Sequence, residues 1–200
     1  MTSPALDWGV AAAAMPSQDV SGDLCVVKCH GSGWIVGAID GLGHGEEAAF
    51  ASRLAAAILV EHPGNPPDEL IERCHLALRG TRGVVMNVGA FDPQLHRLTW
   101  AGVGNVQGVL LRGSRRLGDE DLMVTAGVVG IQLPRLRPAP LQVLPGDTLV
   151  FATDGIASEF GREAARHLPP QVAADAVLAR HRKYTDDALV VVARFPGDVR

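Results

Sequence analysis

Two stretches of the chain run apolar and then stop on an aspartate followed by a glycine. Trp34-Ile35-Val36-Gly37-Ala38-Ile39 leads to Asp40-Gly41, and Leu149-Val150-Phe151-Ala152-Thr153 leads to Asp154-Gly155. Short apolar runs bounded by turn residues predict strands, so residues 34–39 and 148–153 are read that way. Similar runs predict strands over residues 6–14, 24–29, 83–91, 96–103, 106–112, 141–144 and 188–195. Gly31-Ser32 supplies a two-residue hairpin loop, and Pro145-Gly146-Asp147 a further turn. Asp92-Pro93-Gln94 and Gly104-Asn105 divide the three middle runs, which therefore read as a meander.

Elsewhere the spacing is helical. Over residues 46–61, Phe50, Leu54 and Ile58, with Ala51 and Ala55, share a face expected to pack inward, while Glu46 and Glu47 suit the positive end of the helix dipole. A second helix begins near Asn65-Pro66-Pro67, carries Leu70, Cys74 and Leu78 on one face, and ends before Gly80. Residues 161–183 read as mostly helical, with a break near Pro169-Pro170. Strands and helices come in blocks joined by tight turns. The expected class is therefore α+β, with antiparallel sheets covered by helices rather than a parallel βαβ sheet.

Composition narrows the field without naming a function. The chain has 200 residues, 47% of them hydrophobic and 20% charged, as in an ordinary folded protein, so residues 1–200 are read as one domain. A net charge of −4 gives no reason to expect a nucleic-acid partner, and the basic clusters Arg112-Arg115-Arg116 and Arg180-His181-Arg182-Lys183 read as solvated faces. No apolar run approaches the roughly 18 residues that span a bilayer, and the N-terminus lacks the basic start of a secretory signal. The expected location is cytoplasmic. Cys25, Cys29 and Cys74 show no zinc-type pairing. Cys25 and Cys29 share one face of a strand and are expected to act as small core hydrophobes.

The chemistry sits at the strand ends. If Gly31-Ser32 closes a hairpin, His30 opposes Gly33, and counting back along both strands brings Asp23 opposite Asp40. Directly opposed side chains have Cβ atoms only ~4.5–5.5 Å apart, and two like charges there are destabilising unless something positive lies between them. Asp40 and Asp154 end strands, whereas Asp23 and Asp186 begin them, so an antiparallel sheet can gather all four at one edge. Four carboxylates and a carbonyl at a glycine are hard ligands suited to Mg²⁺ or Mn²⁺. Each aspartate alone is an ordinary turn former, and the hexapeptide Asp40-Gly41-Leu42-Gly43-His44-Gly45 lacks the lysine of a nucleotide-binding loop. Their joint placement is what points to metal chemistry.

Taken in order, Ser21-Gly22-Asp23, Asp40-Gly41-Leu42-Gly43-His44-Gly45, Ala101-Gly102-Val103-Gly104-Asn105, Pro145-Gly146-Asp147, Phe151-Ala152-Thr153-Asp154-Gly155 and Asp186-Asp187-Ala188 resemble the metal-dependent protein phosphatase (PPM) family, in its SpoIIE-like bacterial branch. That resemblance implies two packed antiparallel β-sheets flanked by helices, an α-β-β-α sandwich, with a centre of two Mn²⁺ or Mg²⁺ ions that hydrolyses phosphoserine and phosphothreonine. Carried across, Asp40 bridges the metals, and the Gly41 carbonyl, Asp23, Asp154 and Asp186 complete their shells. Asp187 orients, and His44 is either a proton donor to the leaving oxygen or a cap for the helix beginning near Gly45. Gly104-Asn105-Val106 replaces a Gly-His-Pro-like turn, and no arginine stands near Asp23 to clamp phosphate, which leaves the phosphate mainly to the metals. The chain is most similar to RsbX-type single-domain phosphatases, also through Thr81-Arg82-Gly83-Val84-Val85-Met86. Such a relative implies phosphorylated signalling proteins as partners, among them STAS-domain components of the stressosome. A catalytically silent adaptor of the same fold is the competing reading, and the retained, mutually repelling carboxylates weigh against it.

Overall fold

The computed structural model describes residues 6–114, 117–158, 160 and 162–195. Arg115 and Arg116 of the first basic cluster, and Gly161 at the expected start of the third helical region, lie outside them. In chain order the elements are β1 (Asp7–Ala13), β2 (Asp23–His30), β3 (Gly33–Gly41), α1 (Glu46–Glu61), α2 (Pro67–Ala77), β4 (Val84–Asp92), β5 (Arg97–Val103), β6 (Gln107–Leu111), β7 (Glu120–Asp121), β8 (Ala139–Gln142), β9 (Thr148–Ala152), α3 (Arg162–His167), α4 (Pro170–His181) and β10 (Ala188–Arg194). One sheet has the order β1-β10-β9-β6-β7 and the other β2-β3-β4-β5-β8, with every neighbouring pair antiparallel. This is the expected α-β-β-α sandwich.

Strand alternation builds its layers. Along β9, Leu149 and Phe151 face the space between the sheets, while Val150 and Ala152 face α3 and α4. On β10, Leu189, Val191 and Ala193 share the inter-sheet side with Val36 and Ala38 of β3; Val190 and Val192 lie under the helices. Ile35 and Ile39 of β3 point the other way, onto α1 and α2. Both faces of these central strands are buried, which is why their sequence runs apolar instead of alternating with polar residues.

Three expectations need correction. The middle runs do not form a meander, because β6 leaves β5 and inserts between β9 and β7 in the opposite sheet. Its side chains require that position: Leu110 fills the inter-sheet core, and Val109 and Leu111 pack on the helical side. Gly104, at φ +100°, makes the turn across. On α1 the expected inward face holds for Ala51 and Ala55, with Leu54 and Ile58 packed against the same core, but not for Phe50, which is 52% exposed while Ala48, Ser52 and Leu59 are buried. The helix lies so close to β3 that a Cβ on Gly37 would come within 2.6 Å of Leu59 Cδ1, and one on Gly41 within 2.3 Å of the Ala48 carbonyl. Small residues permit that approach, and Phe50 does not fit it. Finally, Cys29 is exposed, because it sits by the loop of the β2–β3 hairpin, whereas Cys25 packs against the inter-sheet core. Among the described residues no helix is long and apolar enough to cross a membrane.

Candidate metal centre

The β2–β3 hairpin has the register counted from its loop: His30 opposes Gly33 and Asp23 opposes Asp40. Gly31 takes φ +56°, as a tight two-residue turn requires. Because β9 ends at Ala152 and β10 starts at Ala188, Asp154 and Asp186 come to the same end of the sandwich. Asp40, Asp154 and Asp186 line a cleft of about 390 Å³ with Gly43, Asn105 and the segment Ala126-Gly127-Val128. Asp23 lies deeper and is buried.

Electrostatics confirm that these carboxyls share one site. Burial, followed by the charges of Asp23, Asp154, Asp186 and Asp187, pushes the Asp40 carboxyl from 3.8 up to about 9. Asp23 rises to about 7, chiefly through burial, with Asp187, Asp154 and Asp186 adding to the rise and a hydrogen bond from Thr153 opposing it. That bond, Thr153 Oγ1 to Asp23 Oδ2 at 2.7 Å, joins one sheet to the other, and the same hydroxyl accepts from Leu189 N at 2.9 Å.

Asp187 acts on the backbone. Gly41 N–H donates to the Gly22 carbonyl at 3.1 Å, and in an undisturbed antiparallel ladder Gly22 N–H would donate back to Gly41 O. Asp187 Oδ2 takes that proton instead, at 2.6 Å, while its Oδ1 accepts from Met15 N at 2.7 Å. The Gly41 carbonyl is thereby released from its ladder partner. On the far side of the cleft Asn105 Nδ2 donates to Asp154 Oδ2 at 2.9 Å, and Lys183 Nζ donates to the Asp154 main-chain oxygen at 2.6 Å.

Among the described residues no group of three or more His, Cys, Asp or Glu side chains is drawn together closely enough to hold a metal ion as it stands. The donor set nevertheless fits a hard divalent cation. It consists of carboxylates and a released peptide carbonyl, with no thiolate, and burial pushes the Asp23 and Asp40 carboxyls up, a cost that a cation beside them would offset. His44 is exposed on the loop after β3 and does not line the cleft. Nor does it cap α1, whose N-cap is Gly45 with no side-chain hydrogen bond.

Asn105 and Thr153 belong to this site and were not singled out as site residues from sequence. Asn105 stood in a recognised motif but read as a turn, and Thr153 read as the last residue of a strand.

The model of the Stage II sporulation protein E (SpoIIE) family matches residues 30–196. The chain belongs to the SpoIIE family. Among curated proteins, the Phosphoserine phosphatase RsbX of Bacillus subtilis (strain 168) is 26% identical over 93 residues, which is 46% of this chain and 47% of RsbX, so the match spans about half of that relative. A solved structure described as the bacterial stressosome, a modular system adapted to control secondary messenger signaling, superposes with a TM-score of 0.89 at 27% identity, covering 95% of this chain and 100% of that one. RsbX in complex with magnesium superposes with a TM-score of 0.85 at 17% identity, covering 94% of each chain, and shares the fold. SpoIIE-family membership and the two-sheet sandwich place the chain in the PPM fold group that the sequence motifs indicated.

Proposed function

We propose that this SpoIIE-family chain is a Mg²⁺- or Mn²⁺-dependent protein serine/threonine phosphatase, with residues 1–200 forming one catalytic domain that works in the cytoplasm. The observation that carries the reading is the Asp23–Asp40 pair, directly opposed carboxyls, one buried and one half-buried at the cleft, whose pKa values are pushed up to about 7 and about 9. Such a pair costs stability unless a cation lies beside it. In this reading Asp23, Asp40, the Gly41 carbonyl, Asp154 and Asp186 would hold the ions. Two divalent ions held there would supply charge neutralisation for a phosphate ester and make a water nucleophilic near neutral pH.

The remaining roles follow from the hydrogen bonds. Thr153 fixes the Asp23 carboxyl, Asn105 fixes that of Asp154, and Asp187 keeps the Gly41 carbonyl out of the ladder. His44, exposed on the loop leaving β3 and not lining the cleft, has no hydrogen bond among the described residues that places it and stands only as the candidate donor of a proton to the departing serine or threonine oxygen. The substrate class is a phosphorylated signalling protein. Phosphorylated STAS-domain stressosome components are the specific candidates, supported by the likeness to RsbX and to a stressosome structure.

The test is phosphate release from a phosphoserine protein or peptide with Mn²⁺ and with chelator. Release that depends on the metal supports the reading; none from any phosphoserine substrate at saturating Mn²⁺ overturns it.

A further inference from the structure

The cleft holds several carboxylates, yet among the described residues no lysine or arginine side chain lines it. A phosphate dianion entering it needs positive charge; Lys183 is engaged by the Asp154 main-chain oxygen, and the Arg82 guanidinium stands directly behind the cleft wall. A Cβ built on Gly43, a cleft-lining residue, would come within 2.7 Å of Arg82 Nη1. The guanidinium therefore occupies the space that any side chain at position 43 would take. Gly43 also has φ +85°, so the position suits glycine twice over.

The backbone beneath Arg82 is firmly tied. Leu42 N–H donates to the Gly83 carbonyl at 3.1 Å, which stitches the loop after Asp40 to the turn carrying Arg82. Thr81 Oγ1 donates to the Leu78 carbonyl at 2.7 Å and accepts from Gly83 N at 3.0 Å. Gly83 has φ +77°, and a Cβ there would come within 2.7 Å of the Val129 carbonyl. The side chain, by contrast, is loosely held. Its ion pair with Glu47, at 2.5 Å, is 48% exposed on the Arg82 side and 71% on the Glu47 side, and solvent-exposed pairs of this kind contribute little. Arg82 also borders a hollow of about 590 Å³ with Glu47, Phe50, Arg53 and Thr81, which leaves the side chain room to move.

We propose that Arg82 is the side chain that takes the substrate's phosphate at the rim of the cleft, with Glu47 holding the guanidinium until the phosphate arrives. A guanidinium fork matches two phosphate oxygens, so exchanging a screened carboxylate for a phosphate dianion favours binding. The residue acts on recognition, and the proposal rests on the phosphatase reading above.

Steady-state kinetics of the Mn²⁺-loaded protein on a neutral phosphoserine peptide test it. Arg82→Ala raises KM about tenfold and leaves kcat within about threefold, and Arg82→Lys recovers part of the loss because it restores charge without the fork. Glu47→Gln moves KM the opposite way, downward, because it frees the guanidinium. If Arg82→Ala leaves KM unchanged, or if Arg82→Ala and Glu47→Gln raise it alike, the pair is structural and the proposal is wrong. Fluorescence anisotropy with a labelled peptide carrying a non-hydrolysable phosphonate analogue of phosphoserine separates the two readings. Tighter binding by wild type than by Arg82→Ala, with no turnover of the phosphoserine peptide, supports Arg82 and overturns the phosphatase. Normal turnover with Kd and KM untouched by Arg82→Ala does the reverse. Failure of wild type to bind the analogue overturns both.

Discussion

Replacing Asp40 by Asn should stabilise the metal-free protein, although it removes the residue placed at the heart of the site. The Asp40 carboxyl rises from 3.8 to about 9, first through burial and then through the four neighbouring carboxylates; Asp23 rises from the same value to about 7. Both groups therefore hold protons more tightly in the folded chain than in the unfolded one. Their favourable contribution is complete below the unfolded pKa near 4 and is lost as pH rises through the folded values, so stability falls with increasing pH. Each unit is worth about 1.4 kcal/mol, so the ceiling of this loss at Asp40 by pH 7.5 is about 5 kcal/mol. Water entering the open cleft reduces it, and a gain of about 2 kcal/mol for Asp40→Asn is expected, or about 4–8 °C in Tm for a chain of this size. Thermal melts in chelator from pH 5 to pH 8 measure it. Wild type should melt progressively lower as pH rises, the variant should fall less and melt above wild type at pH 8, and Mn²⁺ should raise wild type alone. A variant that melts below wild type in chelator at pH 8 would refute the electrostatic reasoning.

Three further outcomes are expected. Asp154→Asn should lower phosphate release at least a hundredfold while circular dichroism shows an unchanged fold, since Asp154 lines the cleft and its side chain accepts a hydrogen bond from Asn105 that an asparagine oxygen can also accept. His44→Ala should reduce turnover most for esters with poor leaving groups and least for nitrophenyl phosphate; an equal loss on both would remove the proton-donor role. Asp147→Ala should cost about 2–3 kcal/mol by urea unfolding, because it removes one of the two carboxylates paired with the buried Arg112, leaving Glu120, and also removes acceptors for Gly113 N and Leu144 N.

The hairpin register was legible because a two-residue loop leaves no freedom in which residues oppose. Asp23 across from Asp40 followed from counting alone. Strand ends were equally clear, since Asp154-Gly155 and Asp186-Asp187 interrupt otherwise apolar runs. Periodicity found most of the inward face of α1 but misplaced Phe50, because it does not report how near the sheet lies, and close packing on Gly37 and Gly41 leaves no room for that ring. β6 crossed to the other sheet because an apolar run reports burial on both faces without saying which sheet supplies the neighbours. Residues 122–138 carry neither a strand nor a helical period, yet Ala126, Gly127 and Val128 form a wall of the cleft. They are held there by isolated bridges from Val129 to Val84 and from Thr125 to Val103, pairings that no local pattern announces. Arg82 was hidden for the same reason: its place behind Gly43 is set by a tertiary hydrogen bond, from Leu42 to Gly83.

The central claim is that Asp23, Asp40, the Gly41 carbonyl, Asp154 and Asp186 together hold two divalent ions. Calorimetric titration of the chelator-treated, dialysed protein with Mn²⁺ tests it most directly, with Asp40→Asn titrated alongside. Two ions bound per wild-type chain, with binding lost or much weakened in the variant, is the predicted result. No binding by wild type, or two ions bound equally well without the Asp40 carboxylate, would contradict it.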